Sequence, residues 1–128
     1  MQDRPTLTEL LDAVRGFLEK DVVTALDGTA RFHARVAANV LAIAAREVAL
    51  EPGHIVAEWI RLDALLGAAP LPDEAAARRA AMRQRNEALC ARIRAGEADA
   101  GAFRAAVRTH LEATVRAKLA IANPKMLD

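Results

Sequence analysis

From Leu7 onward the apolar residues return every three or four positions, and no alternating pattern ever replaces that period. Leu7, Leu11, Val14, Leu18, Val22 and Ala25 trace one face of a helix, flanked by Leu10 and Phe17. β-branched residues are scattered rather than grouped, so no strand is expected. Alanine fills 31 of the 128 positions, which favours helix almost everywhere. The expected class is all-α: one helical domain over residues 1–128, a mostly up-and-down bundle of about five helices.

Breaks in the pattern set the boundaries. Thr6 with Glu9 makes a capping box that opens a first helix over about 6–26, closed by Asp27-Gly28. Thr29 can cap a second, over 29–50. Phe32, Val36, Val40, Ile43 and Leu50 lie on one side of it, Leu41 and Val48 opposite, so it should be the central, most buried helix. Glu51-Pro52-Gly53 should end it. A short third helix over 55–66 is anchored by Ile55, Trp59, Leu62 and Leu66, and residues 67–72 read as a linker. Asp73 then caps a fourth helix over 73–95, whose second half buries Met82, Leu89 and Ile93. Asp99 caps a fifth over 99–122, stopped at Asn123-Pro124.

Several classes of function fall away. The lone Cys90 forms no internal disulfide, the N-terminus lacks a continuous apolar signal region, and no apolar run approaches membrane-spanning length. A cytoplasmic protein is expected. Residues 1–72 carry 7 basic and 10 acidic side chains, residues 73–128 carry 11 and 7. That asymmetry suits two halves of a bundle attracting each other, or a weakly anion-attracting surface where Arg78, Arg79, Arg83 and Arg85 cluster. It is too small, and too poor in aromatics, for nucleic acid. Glu51 and His54 match E-x-x-H, but Pro52 and Gly53 interrupt the spacing and no second copy exists. Neither a phosphate loop, a nucleophile elbow nor a zinc spacing is present, so no metal, no cofactor and no catalytic residue is expected; the balance leans toward a non-enzyme, with a weak enzyme using His110 and Glu47 as the last alternative.

Six polar residues sit where their helices should be apolar. On the fifth helix, taking Phe103 as zero, His110, Thr114 and Lys118 project near about −20°, 20° and 60°, among Val107, Leu111 and Ile121. Asn39 and Glu47 fall inside the Phe32–Val36–Ile43 stripe, and Asn86 amid Met82, Leu89 and Ile93. A polar group there is costly unless partnered. Asn39, Glu47, Asn86, His110 and Thr114 therefore form a candidate buried polar network, with Asn39 and Asn86 as interhelical glue. Thr114 can bond back within its helix, and Lys118 can snorkel to water. Arg31, His33 and Arg35 open the second helix with three donors in five residues, which suits a carboxylate or phosphate, or only a solvated first turn.

A resemblance adds to this. Met1-Gln-Asp-Arg-Pro5-Thr6 with Glu9-Leu-Leu11, Arg31-Phe-His33 with Arg35-Val-Ala-Ala-Asn39, Ile93-Arg-Ala-Gly96, His110-Leu111 with Thr114, and Lys118-Leu119 with Ala122-Asn-Pro124 are together similar to a bacterial family of small all-helical proteins classed as a domain of unknown function. Its members tend to be encoded beside acyl-CoA dehydrogenases and aminoglycoside-phosphotransferase-like kinases. The resemblance implies a non-catalytic accessory protein in acyl-CoA or hydroxy-acid catabolism, with such a kinase or dehydrogenase as partner. The family supplies no catalytic residues. The other reading is a small-ligand-binding bundle, in which Arg31, His33, Arg35, Asn39, His110, Thr114 and Lys118 hold an acidic metabolite or acyl-CoA fragment. Homo-oligomers fit either reading.

Overall fold

The computed structural model describes residues 3–127; Met1 and Gln2, which open the family-like first segment, and Asp128 lie outside them. Among the described residues every regular element is helical, and there are four principal helices rather than about five. The chain divides into two compact units, Met1–Pro52 with Leu119–Asp128, and Gly53–Lys118.

In the first unit, α1 (Leu7–Phe17) starts at the expected capping box. The Thr6 N–H donates to Glu9 Oε2 (2.6 Å) and the Glu9 N–H donates to Thr6 Oγ1 (3.2 Å). The helical path widens into a π-turn (Leu18–Val22), resumes over Val23–Ala25 and stops where Leu26 turns extended. Gly28, at φ +56°, opens α2 (Gly28–Leu66). Arg31 Nε donates to the Val23 carbonyl (3.0 Å), tying the start of α2 to the end of the preceding segment.

The packing of this unit uses only part of the expected faces: Leu11, Leu18, Val22 and Ile43 are half-buried. Thr8, Asp12 and Arg15 of α1 share a shallow groove with Ala42, Ala45, Arg46 and Ala49 of α2. The buried residues of this part of α2 are Ala34, Ala38 and Ala45. Leu7, Val14, Phe32, Val36, Val40 and Leu50, expected in a core, are exposed. Alanine allows helices to approach closely, and hydropathy alone does not weigh that advantage against bulk. Arg46 Nε donates to the Ile121 carbonyl (2.6 Å), holding the last turn of the final helix within the unit.

The break expected at Glu51-Pro52-Gly53 does not occur: α2 is one helix of 39 residues running through Pro52. Proline removes one backbone donor and crowds the carbonyl four residues earlier, here Val48. The long alanine-rich stretch that precedes it offsets that cost, and Gly53 keeps an ordinary helical backbone rather than the positive φ of a cap.

The second unit contains the residues 53–66 of α2, α3 (Ala75–Arg94) and most of α4 (Gly101–Ala122). Its core is Leu62, Leu65, Leu89 and Val107, with Met82, Ile93 and Phe103 packed against it. Glu74, not Asp73, caps α3, its carboxylate accepting from the Ala76 and Ala77 N–H groups. The linker over 67–72 is held by arginines. Arg85 pairs with Asp63, donates to the Gly67 carbonyl (2.7 Å) and lies over the Trp59 ring at 4.5 Å. Trp59 Nε1 donates to the Ala69 carbonyl (2.9 Å), and Arg78 donates to the carbonyls of Pro72 and Asp73. Arg92 donates to the Leu65 carbonyl (2.6 Å) and stacks on Phe103. Two members of the expected basic patch, Arg78 and Arg85, are thus structural clasps.

A candidate binding cleft in the second unit

Helical spacing delivers the site. His110, Thr114 and Lys118 follow one another at i, i+4 and i+8 on α4, and Asn86, Cys90 and Arg94 do the same on α3. Both rows line a cleft of ≈ 500 Å³, which Glu58 of α2 completes. That volume lies inside the range of small-molecule sites.

His110 is the buried member, 2 % exposed. Its Nδ1 is enclosed without a hydrogen-bond partner. Burial pushes the imidazole pKa below the usual 6.5, Glu58 pulls it partly back, and Arg61 lowers it further. The ring is therefore neutral at pH 7. Asn86 Nδ2 donates to Glu58 Oε1 (2.9 Å) and to the Met82 carbonyl (3.2 Å). Thr114 Oγ1 accepts from Arg61 at 3.5 Å, a long bond. Arg83, Arg94 and Lys118, all exposed, add three cations to the lining, against the carboxylates of Glu58 and Glu87.

Of the residues picked from the sequence, Asn86, His110, Thr114 and Lys118 come together here. The others lie in the first unit and do not line this cleft. Asn39 and Glu47 are exposed, not in a buried polar layer, because the stripe containing them faces outward. Asn86 bonds to Glu58 rather than to Asn39. Arg31 already holds Val23 and lies 3.7 Å from Asp27, His33 is exposed with its ring against Phe32, and Arg35 and Asn39 line a smaller groove of ≈ 250 Å³ with Glu19. Glu58 and Arg61 were missed. Both lie within the 55–66 segment, where Glu58 is one residue from the anchor Trp59 and passes for a surface charge.

Glu51 and His54 do share a continuous helix, yet no group of metal-ligating side chains is found among the described residues. No described helix is long and apolar enough to cross a membrane.

A family profile matches residues 24–126, four-fifths of the chain, including every residue of the cleft. The chain belongs to the DUF6285 family, a domain of unknown function. The match leaves α1 outside it and spans both units. No curated protein and no solved structure matches the chain.

Proposed function

We propose that this DUF6285 chain binds a small organic anion in the cleft of its second unit and carries out no chemistry on it. The observation that carries the reading is His110: a buried polar ring on the wall of an open cleft, with one nitrogen unpartnered. Buried polar groups are nearly always satisfied, and those that are not call for a reason such as a ligand. With its proton on Nδ1, the unpartnered nitrogen is a neutral donor to a carboxylate, carbonyl or phosphate oxygen. Arg83, Arg94 and Lys118 supply the charge. The ligand class fits the sequence expectation of an acidic metabolite or acyl-CoA fragment, with Arg31, His33, Arg35 and Asn39 outside the site.

Thermal-shift screening tests it, because a ligand that binds only the folded chain stabilises it by about 2.7 kcal/mol at one hundred times Kd. Carboxylates, hydroxy acids, sugar phosphates and acyl-CoAs form the panel. A shift that disappears in Lys118→Ala and His110→Phe supports the reading. No shift from any panel member, or one that survives both substitutions, ends it.

A second reading is the accessory protein: a non-catalytic partner of a phosphotransferase-like kinase or acyl-CoA dehydrogenase in hydroxy-acid or acyl-CoA catabolism. The exposed apolar residues of the first unit favour an interaction role. Recovery of neither enzyme class in a pull-down from the native host counts against it.

A further inference from the structure

Arg61 is a half-buried arginine whose charge the fold leaves unanswered. A guanidinium cannot shed its proton, so burial without a partner is costly. Among the described residues Arg61 has no ion-pair partner. Its hydrogen bond to Thr114 Oγ1 is long, at 3.5 Å, and its Nε is enclosed with no acceptor. The two carboxylates nearest to it along α2 are committed elsewhere: Glu58 accepts from Asn86, and Asp63 pairs with Arg85. Arg92, by contrast, directs its donors to the Leu65 carbonyl and to Glu97, both at 2.6 Å.

Arg61 lines a pocket of ≈ 250 Å³ between α2 and α4, with Ala64, Leu65, Ala106, Thr109 and His110. Among the described residues it shares only His110 with the cleft, so the buried ring and its unpartnered Nδ1 belong to both walls. Ala64, Ala106 and Thr109 are exposed, which leaves the pocket reachable from solvent. The Thr109 hydroxyl already donates to the Ala105 carbonyl (3.1 Å), so the guanidinium is the main free donor.

We infer that this pocket is a second binding site, for a short-chain monocarboxylate that pairs with Arg61. The planar guanidinium fork matches a carboxylate, and one fixed positive charge balances one negative charge. A phosphate or sulfate dianion would leave charge uncompensated against Ala64, Leu65 and Ala106. The pocket is smaller than the about 300–1,000 Å³ of sites for drug-sized molecules, which limits the body of the ligand to a few carbons.

Titration of the ¹⁵N-labelled full chain with sodium propionate, at ionic strength held constant with chloride, tests this by NMR. The Arg61 Nε–H resonance and the Ala64 and Ala106 amides should shift saturably. Binding should weaken by at least about tenfold in Arg61→Met, because hydrogen bonds to a charged group are lost. Ala106→Leu fills the pocket from an exposed helical position and should weaken it similarly, and it decides alone if Arg61→Met does not fold. Lys118→Ala removes a cation from the cleft and should leave this titration unchanged. A loss of propionate binding in Lys118→Ala assigns the carboxylate to the cleft and overturns the second site. So does a wild-type chain with no saturable shift, or a shift that survives Ala106→Leu. Inorganic phosphate that binds as tightly as propionate overturns the monocarboxylate assignment.

Discussion

Asn86 Nδ2 donates to Glu58 Oε1 at 2.9 Å, joining α3 to the second half of α2 across the floor of the cleft. The amide also bonds the Met82 carbonyl one turn back, so its orientation is fixed from two sides. Replacing Asn86 by Leu leaves the half-buried Glu58 carboxylate without that donor, at an expected cost of roughly 1–3 kcal/mol. The double variant Glu58→Leu, Asn86→Leu should recover much of the loss, since no desolvated group remains. Asn39→Leu, at an exposed site, should change stability by no more than about 0.5 kcal/mol. Urea melts of the four proteins check this, and a near-zero effect of Asn86→Leu would contradict it.

His110 makes stability depend on pH in a definite direction. Its folded pKa is lowered, chiefly by burial, while the unfolded value is 6.5. The unfolded chain therefore binds the proton more readily, and stability falls as the pH drops below 6.5 toward the folded pKa. At most this amounts to about 1.4 kcal/mol per pH unit in that window. Melting temperatures between pH 7.5 and 5 should decline less steeply in His110→Gln than in the wild type. Parallel curves would remove His110 as the cause.

The pattern of success and failure in reading the sequence has a physical basis. Thr6 and Glu9 announced α1 because a capping box is a local bond between near neighbours. His110, Thr114 and Lys118 were legible because helical periodicity places them on one face before any tertiary contact is known. Glu58 was not, since its significance comes from Asn86, 28 residues away. The exposure of Phe32 and Val36 was not legible either. Hydropathy marks surfaces that avoid water without saying whether their cover lies in the same chain.

Arg85 should be the most sensitive arginine. It is the counterion of Asp63, a donor to the Gly67 carbonyl and the cation over Trp59. Arg85→Met keeps some of the stem packing and removes all three charge-assisted contacts. A loss of about 1.5–3 kcal/mol is expected, because hydrogen bonds to charged groups fall in that range and the ion pair is partly buried. Trp59 is the chain's single tryptophan, so its fluorescence reports the change directly. An unaltered emission maximum in Arg85→Met would mean that the clasp does not hold the ring.

Glycines at two points of the chain should respond in opposite directions. Gly53 lies in the interior of α2 with an ordinary helical backbone, and a methyl group added there meets nothing within 4 Å. Gly53→Ala should therefore stabilise by about 0.5–1 kcal/mol, by removing backbone freedom from the unfolded chain and raising helix propensity. Gly67 follows the last residue of α2 at φ +94°, a backbone that side chains avoid, so Gly67→Ala should destabilise although its surroundings are equally open. Differential scanning calorimetry of the two variants separates the cases, since space is available at both and only backbone conformation differs. A gain at Gly67 or a loss at Gly53 would show that the helix assigned through Pro52, or its end at Leu66, is not the one the chain adopts.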